Sequence, residues 1–263
     1  MAKGLFDLSG KVAVVTGGNS GLGLGFARGI AKHGGAVSIW SRRADRNAAA
    51  KKELEAYGGR VDARQVDVSS EKDVIAGFDG VMAEFGRIDC VIANAGPPPP
   101  MTGTLEQTTK EYHDFLSVAM HGAIYTLREG ARHMVKRAET GDRGGSLIAC
   151  GSLSIFKGLA GKIPYAASKA AVAATIRCMA VEFGKYGIRA NVVAPGYIKT
   201  GMSEGADAEQ MVQIDKYFAS RTPIERPGYI EDFEAIAVYL ASDASSFHTG
   251  DTITIDGGWM VNM

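Results

Sequence analysis

Tyr165 and Lys169 stand four residues apart, and Ser152 precedes the tyrosine by thirteen. A phenol, an ammonium and a hydroxyl can together exchange a proton with a carbonyl or alcohol oxygen. On a helix, positions four apart share a face, which puts the Lys169 cation beside the Tyr165 ring. A free phenol titrates near pH ~10, poorly matched to proton exchange at neutrality. A neighbouring cation favours the phenolate, and moving such an equilibrium by ~3 units takes roughly 4 kcal/mol. Ser152, at a strand end, would donate to the same substrate oxygen. Tyr-x-x-x-Lys alone is a common surface pair, so the expectation rests on the ordered set.

Upstream, Thr16-Gly17-Gly18-Asn19-Ser20-Gly21-Leu22-Gly23 follows a β-branched run. Glycines permit a sharp turn and let backbone N–H groups approach a pyrophosphate at a helix start. Gly23 would let that helix pack closely on a sheet, and Asn19 and Ser20 are N-cap and phosphate-facing types. The turn from Gly17 through Asn19, Ser20, Gly21 and Leu22 to Gly23 is therefore the expected pyrophosphate contact. About twenty residues on, the chain reads Trp40-Ser41-Arg42-Arg43. An acidic residue there would hold the ribose hydroxyls of NAD. Ser41 offers no charge and Arg42 the opposite one, which suits the 2′-phosphate of NADP. NADP(H) is the favoured cofactor, with NAD(H) the alternative. Asp67-Val68 offers an acceptor for the adenine amino group, or else a cap for the next helix. Asn94-Ala95-Gly96 either packs against the adenosine ribose or simply turns. Pro195-Gly196 is expected to pass the nicotinamide amide, with the Ile198 backbone and the Thr200 hydroxyl as contacts. Tyr165 and Lys169 face the same cofactor.

Strands must end where these residues begin. The pattern predicts strands over Lys11–Thr16, Ala36–Trp40, Val61–Val66, Ile88–Ala93, Ser146–Gly151, Arg189–Val193 and Thr252–Ile255. Between them it predicts helices over Gly21–His33, Ala44–Tyr57, Glu71–Phe85, Thr109–Arg137, Tyr165–Tyr186 and Glu231–Ala241. Such alternation gives an α/β fold with a parallel sheet covered on both faces. Ligands in such sheets bind beyond the carboxyl ends of the strands, where Gly17, Ser41, Asp67, Asn94, Ser152 and Pro195 fall. The run Pro97–Pro100 is a stiff rod of roughly 12 Å, read as a rigid connector or a fixed rim of a substrate mouth.

With 263 residues and 46% hydrophobic content, one domain over 1–263 is expected, carrying a substrate lid at about 201–226. Met202, Met211, Ile214, Tyr217 and Phe218 supply its apolar residues, as a short helical pair. Leu153, Ile155 and Phe156 are expected to line the pocket for a mid-sized, partly apolar alcohol or ketone. Lys157 and Lys162 are expected to be solvated. Basic and acidic residues balance at 29 each, so no whole-chain field draws nucleic acid or an anionic membrane. Cys90, Cys150 and Cys178 form no CxxC and lie in apolar stretches, which reads as three buried thiols in a reducing compartment. With no long apolar run near the first residues, cytoplasm is the expected location. The scattered histidines show no metal-ligand spacing, and no metal is expected. Trp259 and Met260 are expected at a subunit contact.

In order and spacing these motifs resemble the short-chain dehydrogenase/reductase family. The likeness runs from Leu8 to about Gly258 and includes Asn94-Ala95-Gly96, Ser152, Tyr165-Ala166-Ala167-Ser168-Lys169, Pro195-Gly196 and Asp256-Gly257-Gly258. It implies one Rossmann-type domain with a seven-stranded sheet, Ser152, Tyr165 and Lys169 as catalytic residues, and a homotetramer. The implied reaction interconverts a secondary alcohol and a ketone or aldehyde by hydride transfer, with Tyr165 as general acid/base. One position departs. The family's central helix carries an asparagine whose backbone helps hold a water next to the lysine. Here that stretch reads Val118-Ala119-Met120-His121-Gly122, with Ala119 in its place. Because that contact runs through backbone, activity is expected to persist. A nucleotide-binding sensor or scaffold without turnover is the competing reading. An extended epimerase or dehydratase is a third, and too little chain follows Thr200 for its second domain.

Overall fold

The computed structural model describes residues 4–200 and 207–262. Seven strands form one parallel sheet in the order β3-β2-β1-β4-β5-β6-β7. They are β1 (Val12–Thr16), β2 (Ala36–Ser41), β3 (Val61–Gln65), β4 (Cys90–Ala93), β5 (Gly145–Cys150), β6 (Ile188–Pro195) and β7 (Thr252–Ile255). The order reverses between β1 and β4, so their carboxyl ends diverge and leave the crevice in which such sheets hold ligands.

The strands read as apolar runs because both faces are covered. Successive side chains point to opposite faces, and the two cores follow that alternation. Val12 and Val14 of β1 and Leu147 and Ala149 of β5 belong to one core, with Trp40, Phe78, Leu127, Met134 and Ile176. Ala13 and Val15, with Ile148 and Cys150, belong to the other, with Phe26, Ile30, Leu54, Phe233 and Leu240. Helices α3 (Glu71–Phe85), α5 (Ala123–Glu139) and α6 (Ile163–Phe183) feed the first core. Helices α1 (Gly21–Lys32), α2 (Ala44–Glu55) and α8 (Glu234–Ala241) feed the second.

Local chemistry sets most of the ends. Ser70 caps α3 by accepting from the Asp73 N–H, and Gly86 stops it in the left-handed conformation at φ 74°. Pro164 in the first turn of α6 presets its φ, and Tyr165 follows directly. The long helix expected over Thr109–Arg137 is instead interrupted. Helix α4 (Thr109–Leu116) is followed by a π-helical stretch, Ser117–Gly122, and then by α5. At Gly122 a β-carbon would stand 2.7 Å from Val68 Cγ2 and 2.9 Å from the Val68 carbonyl oxygen, so the wide turn presses on the loop after β3. The first turn of the expected Glu231–Ala241 helix is a 3-10 turn over Ile230–Phe233. Cys178 is exposed, against the expectation of three buried thiols. It lies with exposed Ala174 and Val181 on an outward stripe of α6 that apolar composition alone does not reveal.

Candidate active site

Ser152 lies just past β5, buried at 6% exposure. Its Oγ accepts a hydrogen bond from the Ser154 N–H at 3.1 Å. That bond uses one lone pair and leaves the O–H to donate elsewhere. Lys169 is also buried, at 9% exposure, and its ammonium donates to the Cys150 carbonyl oxygen at 2.6 Å. A buried charge needs such a partner. Cys150 is the last residue of β5, so Lys169 is fastened to the strand that presents Ser152. The ammonium stands 5.9 Å from the centre of the Tyr165 ring, within reach of a cation–π contact. Phe115 of α4 meets that ring edge-on at 6.3 Å. The structure thus gathers the phenol, the ammonium and the hydroxyl at the carboxyl end of β5.

Ala119 is buried inside the π-helical stretch. The widened turn therefore exists without the amide side chain that the resemblance leads one to expect. His121 points elsewhere, stacking on Tyr125 at 6.2 Å.

The glycine turn has the expected shape. Gly17 and Gly21 hold φ values of 65° and 52°, which other L residues rarely adopt. At Gly21 a β-carbon would meet nothing nearer than Thr200 Cβ at 3.6 Å, so the turn opens on one side towards Thr200. At Gly23 a β-carbon would fall 2.2 Å from the Gly17 carbonyl oxygen. Backbone N–H groups, a helix start and space without side chains suit a pyrophosphate. Asn19 is not the N-cap, and its side chain is tied to two others. Its amide donates to Ser41 Oγ at 2.5 Å and to Asn47 Oδ1 at 2.9 Å. Ser20 is the residue at the N-cap, and its side chain makes no capping bond. Ser41 is likewise engaged, donating to Asn47 Oδ1 at 2.7 Å, while Asn47 reaches back to the Arg64 carbonyl. Asn47 and the burial of this cluster had no signal in the sequence.

Thr16, buried at 1% exposure, fixes the β1–β4 crevice. Its Oγ1 accepts from the Asn94 N–H at 3.0 Å and the Ala95 N–H at 3.1 Å. Asn94 returns a bond from its amide to the Thr16 carbonyl at 3.0 Å. Gly96, next along, has open space where a β-carbon would be. Asp67 Oδ1 accepts from both the N–H and the Oγ of Ser69, while Ser70 caps α3, so Asp67 shapes the turn rather than the cap itself. Burial acts against its charge, but the Ser69 bonds and nearby Arg42 outweigh it and hold the carboxyl below its ordinary range. Arg42 is exposed beside this edge.

Beyond β6, Gly196 donates to the Ile255 carbonyl at 3.0 Å. Ile198 forms a parallel bridge with Gly228. The bonds run from Lys199 N–H to the Gly228 oxygen and from Gly228 N–H to the Tyr197 oxygen. The Ile198 N–H and C=O accordingly point to the opposite edge. Helix α7 (Ala208–Ala219) follows, a single helix among the described residues where a helical pair was expected. Met202 lies outside the described residues. Trp259 packs within its own chain, against Phe218 at 6.1 Å and under the Lys157 ammonium at 4.0 Å, so Lys157 is less free than its charge suggested.

The family model described as Enoyl-(Acyl carrier protein) reductase matches residues 17–260. This chain belongs to the short-chain dehydrogenase/reductase family. Gluconate 5-dehydrogenase of Gluconobacter oxydans (strain 621H) is 33% identical over 260 residues, covering 98% of each chain. A short-chain type dehydrogenase/reductase from Mycobacterium marinum superposes with a TM-score of 0.88 at 32% identity, covering 97% of each. A gluconate 5-dehydrogenase from Burkholderia cenocepacia J2315, solved with NADP and tartrate, gives 0.89 at 31% identity, covering 98% of each. Like its family, the chain is an NAD(P)-dependent oxidoreductase acting on a CH–OH/C=O group. The relatives give no support to a non-catalytic sensor. Among the described residues no helix is long and apolar enough to cross a membrane.

Proposed function

We propose that Tyr165 is the general acid/base of an NADP(H)-preferring interconversion of a secondary alcohol and a ketone. The observation that carries this is the convergence of Tyr165, Lys169 and Ser152 on the end of one strand, β5. Ser152, its lone pair held by the Ser154 N–H, directs its O–H at the substrate oxygen. Tyr165 gives that oxygen a proton in reduction and takes it back in oxidation. Lys169 supplies fixed positive charge beside the phenol throughout, anchored on Cys150 so that it loses no order in the reaction. The bound nicotinamide supplies or accepts the hydride.

The glycine turn at Gly17, Gly21 and Gly23 would hold the pyrophosphate, and the outward edge of Ile198, with Thr200, the nicotinamide amide. Asp67 and Val68 would border the adenine, and Asn94, Ala95 and Gly96 its ribose, with Pro195 and Gly196 below the nicotinamide. Asn19 and Ser41 would act by shaping the turn, since both are tied to Asn47. Arg42 would meet the 2′-phosphate, and a related gluconate 5-dehydrogenase was solved with NADP. Ala119 leaves the backbone turn intact, which supports turnover. Val181 at 87% exposure and the fully exposed Phe247 suit burial in a homotetramer. The cytoplasm is the proposed location.

The test is a panel of ketones and hydroxy acids followed by nicotinamide absorbance with each nucleotide. Substrate-dependent turnover, faster with NADP(H) than NAD(H), is expected. Tight nucleotide binding with no turnover across the panel would return the sensor reading to favour.

A further inference from the structure

Helix α7 is held to the segment after β6 by one carboxylate and one ring stack. Asp215 Oδ1 accepts from the Tyr197 Oη at 2.8 Å, and Asp215 Oδ2 accepts from the Lys199 ammonium at 2.7 Å. The Tyr197 ring lies flat on Phe218 of the same helix, with centres 4.1 Å apart and planes within 7°. Phe218 in turn touches Trp259 beyond β7. The two residues that Asp215 grips flank Ile198, whose backbone polar groups point away from Gly228. A shift of residues 197–199 must therefore move α7 or break the grip.

We propose that Asp215 is a positioning residue that couples nucleotide binding at the 198–200 segment to the seating of α7. The inference rests on the cofactor reading above. The Asp215 side chain is 18% exposed while Lys199 is half exposed, so the grip rests on the two-bond geometry of one carboxylate rather than on burial. The Lys199 bond, the largest influence, keeps the Asp215 carboxyl below its ordinary range, and burial first, then the Asp215 bond, pushes the Tyr197 phenol up to about 12. Donor and acceptor roles thus persist at neutral pH. Arg221 stacks on exposed Tyr217 at 3.9 Å, and Tyr217 in turn meets the Phe218 ring edge-on at 5.4 Å.

The experiment pairs fluorescence titration with NADPH and limited trypsin cleavage at exposed Lys216 in α7. In the wild type, saturating NADPH should slow that cleavage several-fold. In Asp215→Ala the slowing should vanish, and the NADPH Kd should rise about tenfold, a typical coupling. Asp215→Glu should restore part of both, and Tyr197→Phe, which removes one bond of the two, should show a smaller change in the same direction. Should Asp215→Ala fail to fold, Tyr197→Phe and Asp215→Glu carry the test alone. NADPH binding to the wild type with equal protection in the variants would overturn the coupling while leaving the cofactor reading intact. No NADPH binding to the wild type would overturn both.

Discussion

Thr16→Val removes a hydroxyl and keeps the volume, so it isolates what that oxygen does. Thr16 Oγ1 accepts from two backbone donors, Asn94 N–H and Ala95 N–H, at 3.0 and 3.1 Å. Valine offers neither an acceptor. Each stranded donor costs about 1–3 kcal/mol when buried. Asn94 and Ala95 are only partly buried, so water recovers some of that, and the low end applies. The expected loss is about 2 kcal/mol. At a urea slope of about 3 kcal/mol per molar, the midpoint should fall by ~0.7 M. The loosened crevice should also weaken NADPH binding, measured by fluorescence in the absence of urea. A midpoint within about 0.2 M of the wild type would refute the reasoning, since it would mean the two donors had found partners at no cost.

Cys90 gives a pH signature. Complete burial pushes its thiol from an ordinary value near 9 up to about 12. Above pH 9 the unfolded chain loses that proton while the folded one keeps it, so stability should fall as pH rises from 9 towards 12. Thermal melts of Cys90→Ala should show a shallower alkaline decline than the wild type; identical slopes would contradict the assignment. Ala119→Asn should change turnover by less than about tenfold, because the π-helical turn already stands without the amide. A gain of several orders of magnitude in a steady-state assay would show that the side chain matters.

The sequence exposed the parts of this molecule that follow from period and punctuation. Most strand ends, the glycine turn and α3 agree because β-branched runs, glycines and a serine cap are local signals, but Ser41 and Pro195, expected just past their strands, close β2 and β6 themselves. The site followed, since β5 and α6 bring Ser152, Tyr165 and Lys169 to one place. The π-helical stretch was invisible, because no residue type in Ser117–Gly122 marks a widened turn within a helix. The bonds of Asn19 to Ser41 and Asn47 span more than twenty residues, and local preference pointed to a cap instead. Cys178 misled because its neighbours are apolar, yet it lies on the outward stripe of α6. Asp215 had no signal at all: its partners Tyr197 and Lys199 precede it by 18 and 16 residues, beyond the reach of any local pattern.

Tyr165→Phe removes one oxygen and leaves the ring that Phe115 and Lys169 contact. The decisive measurement is its single-turnover rate with a ketone the wild type reduces, taken beside its NADPH affinity. Proton transfer by a placed side chain is worth about 10²–10⁴-fold, so the rate should fall by that factor while NADPH binds as before. A rate equal to that of the wild type would contradict the account.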